Sequence, residues 1–156
     1  MAVAHRRLSD YERERGKPVP SFNHGIIQAQ LGAEFLPHPD YNVGSEITLD
    51  LGTPPNPTPD ILVFKKAKLD LRRDKIRTTE PPVSVVEILS PTQGSFELMQ
   101  RLDRYFEHGI RSCWVVYPTS ASVTIYDADG TEKTWSEGVV EDTTTGLTAD
   151  LDRVFS

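Results

Sequence analysis

The sequence predicts an α/β (α+β) fold, a mixed central sheet flanked by helices with an antiparallel hairpin toward the C-terminus. Three observations predict it. Apolar runs at 60–64, 83–89 and 113–117 have the length and composition of buried strands. A helical stripe separates the second run from the third, which makes 83–117 a parallel strand-helix-strand crossover. Asp127-Ala128-Asp129-Gly130 divides two short segments in the manner of a hairpin turn.

The elements follow in order. Ser9-Asp10-Tyr11-Glu12 has the form of a capping box and starts a short helix that ends near Gly16. Pro18 and Pro20 break the chain. Asn23 is placed to cap a second helix, whose Ile27, Leu31 and Phe35 recur every fourth residue before Pro37 and Pro39 close it. From Ser45 to Leu51 the pattern alternates, with Ile47, Leu49 and Leu51 on one face of a half-buried strand. GTPPNPTP then turns the chain into Asp60-Ile61-Leu62-Val63-Phe64. Pro81 and Pro82 introduce the run from Val83 to Leu89. Phe96, Met99, Leu102 and Phe106 form the next helical stripe, with Gly109 as its stop at C′. Cys113 to Tyr117 is the third buried strand, and Ser122–Tyr126 and Thr131–Trp135 form the hairpin.

At 156 residues the chain suits a single domain over 1–156, able to bury roughly two-thirds of the surface its unfolded form exposes. One cysteine, Cys113, excludes an internal disulfide, and no Cys/His cluster suggests structural zinc. A reducing cytoplasm fits this composition. No stretch approaches the roughly 18 to 20 apolar residues of a membrane span. The net charge of −6 argues against nonspecific adhesion to nucleic acid. Yet Lys65, Lys66, Lys68, Arg72, Arg73, Lys75 and Arg77 crowd one segment, opposed there by Asp70 and Asp74. That segment reads either as a solvated loop or as a phosphate-binding lip.

Two carboxylates carry the chemistry. Glu87 sits inside an apolar strand, where a charge is costly unless it is paired or binds a metal. Asp60 stands at a strand entry after Pro59, where Asp is also a common turn residue. Alone, one reads as a buried ion pair and the other as a cap. Side by side on central strands, with water and a phosphate oxygen, they suit Mg²⁺ or Mn²⁺.

The ordered set Tyr11-Glu12, Gly16, Asn23-His24, Pro59-Asp60, Val86-Glu87-Ile88-Leu89-Ser90-Pro91, Tyr105, Gly109-Ile110 and Trp114-Val115-Val116 before Pro118 resembles a known family. It is similar to the Uma-type restriction endonucleases, a bacterial branch of the PD-(D/E)XK nuclease superfamily. The resemblance implies a restriction-endonuclease-like fold that hydrolyses DNA phosphodiester bonds with Mg²⁺ or Mn²⁺. By it, Asp60 and Glu87 hold the metal, the backbone carbonyl of Ile88 adds a ligand, and Glu12 is an acid from the first helix. A homodimer is expected on the ground that paired sites cut both strands of a duplex, although no residue pattern demonstrates one.

The chain departs from that family at the catalytic lysine. Most of the superfamily carries it two residues after the Glu, at the position of Leu89, and this branch supplies it from the following helix, where the chain has Arg101. Arginine holds its proton far above neutral pH, so Arg101 can clamp a phosphate but cannot serve as a general base. Glu97 is spaced for an i,i+4 pair with Arg101, so Arg101 reads either as half of a surface salt bridge or as part of the site. Lys65, on the face opposite Asp60, and Lys66, about 20 Å along, are poor substitutes for the lysine. Their place is phosphate contact. Tyr117 stands where relatives carry Asp. His24 reads as a contact to phosphate or to Glu12, or as a cap; Ser90 as a phosphate contact or a local turn; Trp114 and Tyr105 as core or interface. The alternative function is a catalytically inactive nuclease-fold module for binding or assembly.

Overall fold

The structure, a computed structural model, describes residues 19–90 and 94–156. The expected helix from Ser9 to Gly16, with Glu12, lies outside them, as do Pro91 to Gln93. Helix α1 runs Phe22–Phe35 and is capped by Ser21, not Asn23; the Ser21 hydroxyl accepts from the His24 N–H. Ser21 has the extended backbone that an N-cap residue takes, at φ −68° and ψ 170°. Ile27, Leu31 and Phe35 are buried, as the four-residue spacing requires.

The alternating run at 45–51 is two pieces. Strand β1 is Tyr41–Ser45 and β2 is Thr48–Leu49, divided by Glu46 in the left-handed region at φ 56°. The kink switches faces. Tyr41 and Val43 pack toward α1, whereas Ile47, Leu49 and Leu51 pack toward the opposite layer. The alternation at 45–51 therefore marked a true face but not a single strand.

Strands β3 (Ile61–Lys65), β4 (Arg77–Thr78) and β5 (Ser84–Ile88) precede helix α2 (Ser95–Glu107). Then come β6 (Ser112–Tyr117), β7 (Ser122–Asp127), β8 (Glu132–Trp135), β9 (Val139–Glu141), β10 (Thr148–Asp150) and the short α3 (Leu151–Val154). The main sheet has the order β1-β3-β5-β6-β7-β8. Its β5–β6 pair is parallel and every other neighbouring pair antiparallel. The α2 crossover between β5 and β6 and the β7–β8 hairpin are as the sequence predicts. Gly109 at φ +96° ends α2, because only glycine enters that conformation without a Cβ penalty.

Side-chain alternation divides the central strands between two layers. Ile61, Val63, Val86, Ile88, Trp114 and Val116 face α1 and the C-terminal elements; Leu62, Val85, Cys113 and Val115 face α2. On α2 the buried stripe is Leu98, Leu102 and Tyr105. Phe96, expected in that stripe, is exposed, and Met99 lies at its margin. The stripe is rotated because Leu98, Leu102 and Tyr105, spaced i, i+4, i+7, already fill the surface of β5 and β6. Trp114 is fully buried and meets Phe35 edge-on at 4.8 Å between ring centroids.

A buried polar knot fastens the C-terminal hairpin β9–β10 to this sheet. Asp142 Oδ2 accepts from Ser112 Oγ and from Trp114 Nε1 at 3.1 Å, and its Oδ1 accepts from the Thr144 N–H at 3.0 Å. Asp142 is 1% exposed. Removing its carboxylate strands the buried Trp114 N–H, while Ser112 Oγ can turn to Ser84 Oγ at 2.9 Å, so Asp142→Ala should lower unfolding free energy by about 1–3 kcal/mol. Urea denaturation checks this: the midpoint falls while the slope stays unchanged.

Candidate active site

Asp60 and Glu87 both lie at one end of the antiparallel β3–β5 seam, Asp60 just before β3 begins and Glu87 one residue before β5 ends. Ile61 pairs with Val86, yet the Asp60 N–H also donates to the Val86 carbonyl at 3.1 Å. Two residues of one strand thus oppose one of the other, the arrangement of a β-bulge, which re-aims a side chain at a strand end. The Asp60 carbonyl accepts from Gln28 Nε2 at 3.0 Å and from the Glu46 N–H at 3.2 Å. With its backbone held, the carboxylate turns to the edge of β5, where Oδ2 accepts from the Ile88 N–H at 2.7 Å. His24 Nε2 lies 3.2 Å from Oδ1.

Glu87 points toward α2, as alternation with Val85 requires. Tyr105 donates its hydroxyl to Glu87 Oε1. Arg101 Nε stands 3.2 Å from the same oxygen, an ion contact without hydrogen-bond alignment. One turn of helix aligns Arg101 and Tyr105, so both arise from the face that packs on β5. Asp60 is 3% exposed and Glu87 7%, which places both carboxylates in the interior rather than on the rim. The Arg101 side chain is 30% exposed and makes no other ion pair among the described residues.

The site joins some of the expected residues and separates others. Asp60 joins His24 and the Ile88 N–H, and Glu87, the residue before Ile88, joins Arg101 and Tyr105. His24 contacts Asp60, and its buried Nδ1 has no hydrogen-bond partner among the described residues. Arg101 pairs with Glu87, not with Glu97, because it lies on the packed face of α2. Ser90 is two residues past β5, on the exposed exit from the seam. Lys65 closes β3 at the end opposite Asp60, and the Lys66 N–H bonds the Asp40 carbonyl there. Neither lysine stands beside the carboxylates. Glu12 lies outside the described residues.

Gln28 and Arg104 were not anticipated. Gln28 follows His24 by one helical turn, and that spacing is the signal that could have found it. Arg104 donates to the carbonyls of Pro55, at 2.7 Å, and Thr53, at 2.6 Å, bracing the loop that leads into Asp60. A groove of about 400 Å³ runs between α1 and β1 behind Asp60. Its described lining includes Gln28, Glu46 and Ile61 but no Lys or Arg.

Residues 6–153 match the Uma2 family, described as putative restriction endonuclease. The chain belongs to this family. A solved structure of similar fold is a putative nuclease belonging to DUF820 from Anabaena variabilis, with a TM-score of 0.71 and 20% identity over 88% of this chain and 83% of that one. No curated protein matches the chain. The central sheet with its flanking helices is thus a restriction-endonuclease-like fold, as the sequence predicts.

Burial, and then the neighbouring Glu87 charge, pushes the Tyr105 phenol well above its usual value. The folded state therefore keeps this proton where the unfolded chain begins to lose it, near pH 10. The stability it contributes is complete below that pH and falls as pH rises toward the folded value. In Tyr105→Phe the decline of stability above about pH 10 should be shallower than in the parent, measured by denaturation at stepped pH. At neutral pH the variant should lose roughly 1–2 kcal/mol.

Proposed function

We propose that the chain is an endonuclease that hydrolyses DNA phosphodiester bonds with Mg²⁺ or Mn²⁺, Asp60 and Glu87 serving as the metal ligands. The observation that carries this reading is the pair of buried carboxylates brought to one seam by the bond from the Ile88 N–H to Asp60. Membership of a family of putative restriction endonucleases supports a nuclease. The donor set fits a hard divalent ion: two carboxylates, with the carbonyl of Ile88 on the same edge of β5 as its N–H. Such an ion, when bound, makes a nucleophile from water at neutral pH and offsets charge that develops on phosphate.

The chain's own residues do the rest. His24 and Gln28 hold Asp60 in place, one at the side chain and one at the backbone. Tyr105 orients Glu87 by donating to one of its oxygens. The Arg101 guanidinium, steered by Glu87, presents its Nη groups to a phosphate oxygen as a fixed cation. Ser90, two residues past β5, would donate to a neighbouring phosphate. Glu12 would supply a further acid, and two copies of the chain would serve the two strands of a duplex. Lys65 and Lys66 have no part at the reacting phosphate.

A second reading is favoured by one observation: the residue held against Glu87 is an arginine, which cannot take a proton from water. On that reading the fold serves binding or assembly without turnover. Nicking of supercoiled plasmid with Mg²⁺ or Mn²⁺ separates the two. The nuclease reading expects cleavage that a chelator abolishes, with Asp60→Ala and Glu87→Ala each lowering the rate by about 10²-fold or more. Unchanged cleavage in both variants overturns the assignment of ligands. No cleavage by the native chain, with turnover appearing in Arg101→Lys, selects the second reading.

A further inference from the structure

The excursion between β3 and β4 is unlike the rest of the chain. Residues 65–77 carry seven cationic and two anionic side chains, a net of +5 in a chain whose net charge is −6. Both acids are spent on shaping the loop. Asp70 Oδ1 accepts from the Arg72 N–H at 3.2 Å, and Asp74 Oδ1 from the Lys75 N–H at 2.7 Å. Arg73 makes only a loose contact with Asp70, at 3.8 Å. Lys68, Arg72, Lys75 and Arg77 take no ion pair among the described residues. The root is anchored as well: the Lys66 N–H bonds the Asp40 carbonyl at 2.8 Å, and Asn42 Nδ2 bonds the Ala67 carbonyl at 2.9 Å.

Two further observations separate this loop from a merely solvated one. Leu69, Leu71 and Ile76 are 68%, 88% and 89% exposed, an apolar trio interleaved with the cations. The loop also returns to the catalytic end. Arg77 pairs across β4–β2 with Thr48, and Thr48 Oγ1 bonds Thr58 Oγ1 at 2.8 Å, two residues before Asp60. From about 4.8 Å between neighbouring strands and 3.3 Å per residue, the Arg77 backbone lies roughly 12 Å from that of Asp60. Phosphates repeat every 3.4 Å or so of axis along each strand of a duplex. A phosphate held by Arg77 is therefore only a few nucleotides from one held at the two carboxylates.

We propose that residues 66–77 form a basic arm that grips duplex DNA beside the scissile phosphate. Arg72, Arg73, Lys75 and Arg77 neutralise backbone phosphates, while Leu71 and Ile76 rest on the sugar edges of a groove, as apolar side chains of groove-binding proteins do. The inference rests on the nuclease reading for its placement of the scissile phosphate. An anionic bilayer is a poorer occupant: the arm has no helix to lay in an interface, and the rest of the chain is acidic.

Binding of the native full chain to a 20-base-pair duplex, in chelator so that nothing is cut, tests the arm by fluorescence anisotropy across a salt series. The variant Arg72→Gln/Arg73→Gln/Lys75→Gln/Arg77→Gln should bind about 10²-fold more weakly at 0.1 M salt. Its log–log salt slope should be smaller by about 3 to 4, close to 0.9 per lost phosphate contact. Leu71→Ser/Ile76→Ser should weaken binding several-fold and leave the slope unchanged. All six positions are exposed, so the thermal midpoint should stay put and certify folding. The proposal is overturned by a quadruple variant that binds with the native slope, by a native chain that binds no duplex, or by one that prefers phosphatidylglycerol vesicles. Metal-dependent cleavage that survives in the quadruple variant with unaltered binding removes the arm and leaves the nuclease. Arm-dependent binding without cleavage does the reverse.

Discussion

The hydrogen bond from the Ile88 N–H to Asp60 Oδ2 is the constraint on which the arrangement of this site depends. Strand β3 begins where the bond forms, and β5 ends there, so two carboxylates from distant parts of the chain arrive at one edge. The bulge at Asp60 makes it possible. A regular ladder would leave the Asp60 side chain perpendicular to the sheet, whereas two residues opposing Val86 rotate it toward the neighbouring strand. Much of the surrounding structure secures that departure from regularity. Gln28 from α1 and the left-handed Glu46 from the β1–β2 kink both donate to the Asp60 carbonyl, and Arg104 from α2 clamps the loop that precedes it.

The layers explain why these supports come from both sides. Alternation sends Ile61, Val86 and Ile88 to the α1 layer and Leu62 and Val85 to the α2 layer. Glu87 falls with the second group and meets Arg101 and Tyr105. Asp60, freed from strict alternation by the bulge, reaches His24 on the first. One end of the seam thus collects polar groups from both helices that flank the sheet. Burial of both acids would be costly without these donors, since an unpaired carboxylate in such surroundings loses its hydration with nothing in return.

Central elements were legible in the sequence because their burial is two-sided: runs such as Ile61–Val63 and Val83–Ile88 leave little ambiguity of period. The kink at Glu46 was not legible. Alternation across 45–51 looks identical whether one strand continues or a left-handed residue exchanges faces, and nothing in a glutamate advertises positive φ. The stripe of α2 misled for a related reason. Phe96 and Met99 satisfy a helical period as well as Leu98 and Tyr105 do, and only the shape of the β5–β6 surface selects between them. At the site, Asp60 and Glu87 stood out as charges at strand positions. Gln28 and Asp142 did not, because a polar residue that satisfies a distant partner carries no local signature.

Arg101 gives the site its particular electrostatic character. A lysine there would place a compact charge at the end of a flexible stem and could share a proton with water. The guanidinium instead spreads its charge over a plane and keeps its proton, so its contribution is geometric and coulombic. It stands on Glu87 through Nε, off the axis of a hydrogen bond. A divalent ion at the same carboxylate would be repelled by that fixed positive charge, while a phosphate would be attracted by both. Metal and phosphate are therefore expected to bind cooperatively, because the phosphate relieves the repulsion between ion and arginine.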